Sequence, residues 1–187
     1  MATSGIETEI KLALASAAAG RAALRRAGFR VSKRRVLERN TVFDTPAQTL
    51  RKASCLLRVR LAGRVASLTY KGRPDVSRFK RREELETGIA DARTVTAVLE
   101  RLGFEPAFRY EKYRTEYRQP AGGGVAALDE TPIGVYLELE GSAGWIDRAA
   151  RRLGFAESQY VTASYAALYF AWCGRRGAKP SHMVFGK

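Results

Sequence analysis

The most chemically suggestive stretch of the chain is Glu7-Thr8-Glu9-Ile10-Lys11, near the start of the sequence. A β-strand has a side-chain period of two, so a strand here places Glu7, Glu9 and Lys11 on one face. The two carboxylates then lie roughly 6–7 Å apart by the strand rise. Carboxylate oxygens suit hard divalent cations, and an ammonium group suits an anion. The stretch is either a metal- and anion-binding row or the solvated face of an edge strand.

Later segments repeat this charged face, which favours the binding interpretation. Read with the same period of two, the predicted strands place one set of charged residues on a common side: Arg58, Arg60, Lys71, Lys80, Arg82, Glu84, Glu86, Lys112, Arg114, Asp129, Glu138 and Glu140. The E-x-E pattern of the first strand thus returns in the last strand.

Composition limits the class of protein. A chain of 187 residues predicts one domain with a substantial core. The net charge of +14 indicates an anionic partner, which can be nucleic acid, a lipid surface or a phosphorylated small molecule. Cys55 and Cys173 do not form a C-x-x-C motif, so a disulfide framework and a zinc site are disfavoured, and we expect a cytosolic protein. No segment approaches the ~20 apolar residues of a membrane span, so we expect no membrane partner.

Hydrophobic patterning predicts an α+β domain over residues 1–173, followed by a basic, disordered tail over residues 174–187. Helices are predicted at 16–27, 91–102, 145–153 and 162–173, and one helical turn is predicted within 47–53. Eight strands are predicted at 7–11, 30–44, 54–61, 65–71, 80–87, 107–118, 125–130 and 135–140.

Two sheet geometries can use a charged face. In an open sheet the face meets water, whereas in a closed barrel it lines the interior and helices cover the apolar exterior. Arginine has a planar fork that suits bidentate phosphate binding, and clustered carboxylates repel each other unless cations lie between them. These residue types favour a closed barrel whose charged interior holds several phosphates and one or two divalent metals.

The ordered motifs of the chain resemble the CYTH, or triphosphate tunnel metalloenzyme, superfamily. This superfamily contains class IV adenylyl cyclases, thiamine triphosphatases and inorganic triphosphatases. Each motif is weak alone, but together they follow the order of the family from residue 6 to about residue 170. The matching pieces are Glu7-Thr8-Glu9-Ile10-Lys11, Phe43-Asp44-Thr45-Pro46, Leu57-Arg58-Val59-Arg60, Lys71, Arg82-Glu83-Glu84-Leu85-Glu86, Glu111-Lys112-Tyr113-Arg114, Asp129, Glu138-Leu139-Glu140 and Ser164-Tyr165.

The resemblance implies an eight-stranded antiparallel tunnel that binds a triphosphate together with Mg²⁺ or Mn²⁺. The implied phosphate-binding residues are Lys11, Arg58, Arg60, Lys71, Arg82, Lys112 and Arg114, among which Lys11, Arg58 and Lys71 are candidate catalytic residues. The implied metal ligands are Glu7, Glu9, Asp129, Glu138 and Glu140. Glu84 and Glu86 are further ligands or orienting partners for the arginines.

The chain departs from the family pattern at two places. Asn40 and Val42 stand where many members have an aspartate and a tyrosine, just before the F-D-T-P motif. The single histidine of the chain is His182, so we exclude a histidine base in the folded domain. Metal-bound water or a lysine would have to supply the nucleophile.

Three functions follow. The first is a metal-dependent triphosphatase that acts on ATP, thiamine triphosphate or tripolyphosphate. The second is a class IV adenylyl cyclase, in which the ribose 3′-hydroxyl replaces water. Residues 102–108 resemble the cyclase-like branch, but no adenine-reading motif is visible, so we expect hydrolysis of a simple triphosphate to be faster than cyclisation of ATP. The third is a non-catalytic polyanion or RNA binder, which has no use for the carboxylates, and we therefore expect no nucleic-acid partner. The oligomeric state is open, and a homodimer is one candidate.

Overall fold

The main feature of the structure, a computed structural model that describes residues 3–75 and 77–186, is a sheet of eight strands that closes on itself. Its order is β1-β5-β4-β3-β2-β6-β7-β8, and every neighbouring pair is antiparallel. The strands are β1 (Thr3–Leu14), β2 (Arg30–Asp44), β3 (Leu56–Ala62), β4 (Val65–Lys71), β5 (Lys80–Ile89), β6 (Glu105–Arg118), β7 (Gly124–Thr131) and β8 (Gly134–Gly141). Because β1 pairs with both β5 and β8, the sheet is closed, and the predicted barrel is confirmed.

The helices lie outside the barrel. They are α1 (Ala17–Arg26), α2 (Thr49–Lys52), α3 (Ala92–Arg101), α4 (Ala143–Arg152) and α5 (Tyr165–Arg175). α1 and α4 cover β1, β7 and β8, where Leu12, Leu128 and Ile146 are fully buried. In the part of the chain that the structure describes, no helix has the length and apolar character needed to cross a membrane.

In β1, apolar side chains face outward to the helices and charged side chains face the barrel interior. Ile10 and Leu12 point outward into the core beneath the helices and are fully buried. Glu9 and Lys11 point inward and are also buried, at 3% and 2% exposure. If β1 shifted by one residue against its neighbours, its charged side chains would enter the apolar core and its apolar side chains would enter the cavity. The separation of apolar and charged faces therefore fixes the register of β1. The open-sheet alternative, with a solvated charged face, is therefore excluded.

The start of α5 differs from the predicted helix at 162–173. Residues before it are extended, and Val161 exchanges two backbone hydrogen bonds with Lys11, at 2.8 and 2.9 Å. The side chain of Ser164 then accepts a hydrogen bond from the Ala167 N–H at 3.2 Å, so that Tyr165 is the first helical residue. Capping by serine stabilises a helix by about 1 kcal/mol. This capping residue and the bridge to β1 together fix where Tyr165 enters the barrel.

Asp44 of the F-D-T-P motif has a structural role. Its carboxylate accepts hydrogen bonds from the backbone N–H groups of Thr45, Leu50 and Arg51 at 2.8–2.9 Å. These contacts order the connector between β2 and β3, where the predicted helical turn is α2. The motif therefore positions the start of β3, and with it Arg58.

The segment after α5 packs on the barrel, whereas the sequence predicted disorder over residues 174–187. Met183 is fully buried, its N–H donates to the Arg109 carbonyl at 3.0 Å, and its carbonyl accepts from the Glu111 N–H at 2.8 Å. β7 pairs with β6 only from Tyr113 onward, so the first half of β6 has a free edge that the segment occupies. Composition cannot reveal this edge, because it depends on where β7 ends. Lys187 lies outside the described residues.

Candidate active site

The barrel interior is a cavity of about 870 Å³. All seven predicted phosphate-binding residues line it: Lys11, Arg58, Arg60, Lys71, Arg82, Lys112 and Arg114. Six of the predicted acidic residues line it as well: Glu7, Glu9, Glu84, Glu86, Glu138 and Glu140. The structure therefore brings together charged residues from both ends of the chain.

Arginine and lysine side chains form one wall of the cavity, on β3, β4 and β6. Arg58, Lys71 and Lys112 are buried, with residue exposures of 5%, 6% and 2%. The Arg58 guanidinium donates to the hydroxyl oxygens of Thr69 at 3.0 Å and Tyr110 at 3.2 Å. Its Nε–H group is buried and has no acceptor among the described residues. A buried donor without an acceptor costs free energy, so an anion in the cavity would stabilise this group.

The acidic wall belongs to β1 and β8. Glu9 lies directly across the β1–β8 pair from Glu140, and Glu138 lies across from Lys11. The Glu7 carboxylate accepts from Lys71 Nζ at 2.6 Å, and the Glu9 carboxylate lies 3.0 Å from Lys11 Nζ and 2.9 Å from Lys80 Nζ. The two E-x-E pairs therefore form one row of carboxylates, most of which are neutralised by lysines.

The pKa values divide this row into two kinds of carboxyl. Burial by itself raises the pKa of Glu9, but Lys11 and Lys80 hold it far below its usual range, so Glu9 is ionised. Burial and the neighbouring carboxylates of Glu7 and Glu138 raise the pKa of Glu140 to about 7. Glu140 is therefore only partly ionised at neutral pH, because the cations of the site do not compensate for the neighbouring carboxylates.

This donor set fits a divalent cation, although no ready-made site is present. Among residues 3–75 and 77–186, no group of three or more His, Cys, Asp or Glu side chains converges closely enough to ligate an ion. The row nevertheless offers hard oxygen donors, and Glu140 lies among carboxylates that repel it. A divalent cation relieves such repulsion. Lysines that now pair with these carboxylates would have to separate from them when the ion binds.

Asp129 was predicted to be a metal ligand of the cavity, but its side chain does not line the cavity. It is fully buried on the inward face of β7, directly across from Arg114, and is absent from the cavity lining. Its carboxylate accepts from Arg114 Nε and Nη2 at 2.7 Å, from Lys112 Nζ at 2.9 Å and from the Tyr165 hydroxyl at 2.6 Å. Through these contacts Asp129 holds Arg114 and Lys112 in this structure, whereas the other predicted metal ligands line the cavity.

Sequence reasoning missed Glu38. This residue of β2 is buried at 4% exposure, and its carboxylate lies 3.6 Å from both Lys112 Nζ and Arg60 Nη1. Burial raises the pKa of Glu38, but Lys112, Arg114 and Arg60 lower it to about 2. Reading β2 with a period of two would have placed Glu38 on the same face as Asn40. The Asn40 side-chain oxygen accepts a hydrogen bond from Arg60 Nε at 3.1 Å. Arg60 therefore contacts both the Asn40 amide and the Glu38 carboxylate.

Lys80, Tyr110 and Tyr165 were also not named as site residues. Lys80 is buried beside Glu9, and Tyr165 faces the ammonium groups of Lys11 and Lys112 at 5.3 and 5.0 Å. The alternation of charged residues in the sequence placed Lys80 on the charged face. Tyr110 and Tyr165 are uncharged, so this alternation could not identify them.

One end of the cavity is apolar. Its lining there includes Val42, Leu56, Phe108 and Phe170, and Phe108 and Phe170 pack with ring centroids 5.7 Å apart. Arg51 lies 5.7 Å from the Phe170 ring. The cavity thus offers charged groups for a phosphate chain and an apolar end for an organic group.

Fold and site together define a β-tunnel protein with a charged interior, and comparison identifies its family. A profile of the CYTH domain matches residues 5–162, and the chain therefore belongs to the CYTH domain family. A candidate adenylate cyclase of Methanocaldococcus jannaschii is 30% identical over 139 residues, which is 73% of this chain and 77% of that protein. Members of the family are triphosphatases and adenylyl cyclases, and its tunnel enzymes generally depend on a divalent metal.

Solved structures show the same fold. The PH1819 protein of Pyrococcus horikoshii superposes with a TM-score of 0.76 at 23% identity, covering 88% of this chain and 98% of that one. A candidate adenylyl cyclase from Hippeastrum, described as having a dominant triphosphatase activity, superposes with a TM-score of 0.62 at 22% identity, covering 93% of this chain and 97% of that one.

Proposed function

We propose that the protein is a metal-dependent triphosphatase that binds the phosphate chain of a small triphosphate inside the barrel. The observation that supports this most strongly is the cavity itself, in which buried arginines and lysines face a row of carboxylates. A polyanion and a divalent cation neutralise these two sets of charges together. A simple polyanion binder would have no use for the carboxylates, so the RNA-binding alternative is disfavoured.

The basic wall would hold the phosphates. Arg58, whose Nε–H group has no acceptor among the described residues, and Arg114 present guanidinium groups, which suit contacts to phosphate oxygens, and Lys112 adds a compact charge. Phosphoryl transfer is accelerated mainly by positioning and by stabilising charge on the transferring and leaving oxygens. Because the wall is buried and fixed by hydrogen bonds, its charges need little rearrangement as the reaction proceeds.

The acidic wall would hold Mg²⁺ or Mn²⁺ through Glu7, Glu9, Glu138 and Glu140. A bound divalent cation neutralises phosphate charge and makes a water molecule more acidic. Lys11 and Lys71, which pair with Glu9 and Glu7, would then be released toward the phosphates. Glu84, 3.0 Å from Lys71 Nζ, and Glu86, 3.5 Å from Arg58 Nη2, would orient these cations.

A second candidate function is adenylyl cyclisation. The apolar end of the cavity, with Phe108 and Phe170, is suited to an aromatic base and favours an organic triphosphate over an inorganic one. A cyclase must also hold the ribose 3′-hydroxyl about 3–3.5 Å from the α-phosphorus. Hydrolysis needs only a water molecule in line with the terminal phosphorus, so it makes fewer demands on the site.

Product analysis distinguishes the two functions. The protein is incubated with Mg²⁺ or Mn²⁺ and with tripolyphosphate, thiamine triphosphate or ATP, and the products are separated by anion-exchange chromatography. We expect orthophosphate from a simple triphosphate faster than cyclic AMP from ATP, and no turnover with a chelator. Arg58→Lys should reduce the rate, whereas Arg64→Lys, in the exposed β3–β4 turn, should not. Cyclic AMP and pyrophosphate as dominant products, with tripolyphosphate intact, would support the cyclase.

A further inference from the structure

Tyr110 is a buried titratable residue inside the cavity to which the reaction described above gives no role. It lies on β6, is 7% exposed, and belongs to the cavity lining. Its ring packs against Phe108 and Tyr165, with centroids 6.0 and 6.3 Å apart. Its backbone forms a β-bridge with Met183, which belongs to the same apolar cluster. These contacts fix the ring, so the direction of the hydroxyl group is set by the fold.

The hydroxyl group has a free proton. Arg58 Nη1 donates to the Tyr110 oxygen at 3.2 Å, so this oxygen is an acceptor toward the protein. Among the described residues, no atom accepts the Tyr110 proton. A buried hydroxyl normally donates as well as accepts. The unused donor lies in the same cavity as the phosphate-binding cations, so a phosphate oxygen is the acceptor of suitable chemistry.

The surroundings of Tyr110 favour loss of that proton. The charged and titratable groups that surround it are Arg58 and Arg60 of β3, Lys112 of β6, Glu38 of β2 and Tyr165 of α5. Burial raises the pKa of the Tyr110 phenol, but Arg58, Lys112 and Arg60 lower it to about 8. The phenol is therefore protonated at neutral pH, while the arginines stabilise the phenolate that remains after proton transfer.

We propose that Tyr110 is a catalytic residue that donates its proton to the leaving-group oxygen of the bound triphosphate. This inference rests on the proposed function. In the step, the nucleophilic oxygen forms a bond to the terminal phosphorus, and the bond from that phosphorus to the bridging oxygen breaks. The bridging oxygen takes the Tyr110 proton as it leaves, and Arg58 stabilises the phenolate. Water supplies the nucleophile, and the proton that water loses passes to solvent, from which the phenolate is reprotonated.

This assignment accounts for acid chemistry in a cavity that lacks histidine. His182 is exposed, and its Nδ1 accepts from the Arg109 N–H, outside the cavity lining. Among the lysines of the cavity, Lys11 has its pKa raised by the carboxylates of Glu9 and Glu138 against the effect of burial. Burial lowers the pKa of Lys80, whose ammonium group donates to the Glu9 carboxylate at 2.9 Å. A lysine with a raised pKa is a poor proton donor at neutral pH, whereas a phenol with a pKa near 8 is well suited to donate a proton at that pH.

The test compares Tyr110→Phe with Tyr113→Phe. Tyr113 lies on the same strand but faces outward beneath Arg35, so its substitution controls for loss of a phenol from β6. With tripolyphosphate and Mg²⁺, we expect Tyr110→Phe to lower kcat by about 100-fold, as for loss of a general acid, with KM changed by less than about threefold. The wild-type kcat/KM should fall above about pH 8 as the phenol ionises, and Tyr110→Phe should lack this fall. Tyr113→Phe should retain both the rate and the pH profile.

A wild-type rate and pH profile in Tyr110→Phe would overturn the inference and leave the triphosphatase intact. If the wild-type protein hydrolyses no triphosphate, the proposed function fails separately, and binding then decides the role of Tyr110. Absorbance at 295 nm reports phenolate. We expect tripolyphosphate to suppress the ionisation near pH 8 in the wild type and in Tyr113→Phe, because a donated hydrogen bond favours the neutral phenol. An ionisation unaffected by tripolyphosphate, or one still present in Tyr110→Phe, would exclude a contact between Tyr110 and phosphate.

Discussion

The two walls of the cavity are built differently, although both are buried and charged. On the basic wall, Arg114 and Lys112 are held by Asp129 of the neighbouring strand, and Arg58 is held by Thr69 and Tyr110. On the acidic wall, the carboxylates pair with lysines that also line the cavity, as Glu7 does with Lys71. Arg58, Lys112 and Arg114 of the basic wall are therefore held by hydrogen bonds before any ligand binds, whereas a metal on the acidic wall would have to displace lysines such as Lys71. Under the proposed function, the chain would combine a rigid phosphate site with an adaptable metal site.

The largest effect on stability is expected at Asp129, the centre of the basic wall. Asp129→Asn removes the counter-charge that the buried Arg114 guanidinium and Lys112 ammonium share, leaving Glu138 and Glu38 as their remaining partners. Breaking a buried ion pair in this way costs about 3–5 kcal/mol. Urea unfolding should show this loss, and turnover should fall because the two cations lose their positions. Asp75→Asn, at an exposed carboxylate, is the control; equal unfolding midpoints for the two variants would contradict this role of Asp129.

A smaller, pH-dependent effect is expected at Glu38. Its pKa is lowered from 4.5 to about 2 in the folded protein, so its ionised form stabilises the fold above about pH 4.5. This contribution is lost as the pH falls through about 2. Glu38→Gln should therefore be less stable than wild type by about 3 kcal/mol at pH 7, from a shift of this size. The difference should shrink at pH 3. A difference that is independent of pH would show that Glu38 acts through packing alone.

On the acidic wall, two glutamates should have opposite effects on stability. Glu9 is ionised and paired with Lys11 and Lys80, so Glu9→Gln should cost about 1–3 kcal/mol in metal-free buffer at pH 7. Glu140 is repelled by Glu7 and Glu138, so Glu140→Gln should leave stability unchanged or raise it by less than about 1 kcal/mol, since solvent screens part of the repulsion. Both variants should lose metal-dependent turnover. Destabilisation of equal size in both would show that the row is uniformly neutralised.

The sequence predicts which face of each strand is charged, but it does not predict cross-strand register or the relative lengths of neighbouring strands. The parity of charged residues placed Arg58, Lys71 and Glu138 in one cavity, because a closed sheet leaves only two faces for them. Parity could not reveal that Asp129 is occupied by cations from a neighbouring strand, since that depends on cross-strand register. Nor could it show the buried Met183, which fills a free edge that exists only because β7 is shorter than β6.

The proposed roles of the two walls, phosphate binding by the basic wall and metal binding by the acidic wall, are tested most directly by a crystal structure with Mn²⁺ and a non-hydrolysable tripolyphosphate analogue. Anomalous scattering locates the metal, and difference density locates the phosphates. We predict Mn²⁺ beside Glu7, Glu9, Glu138 and Glu140, with lysines displaced toward the analogue. The phosphates should contact Arg58, Lys112 and Arg114. Mn²⁺ bound at Asp129, or phosphates bound outside the barrel, would contradict the account.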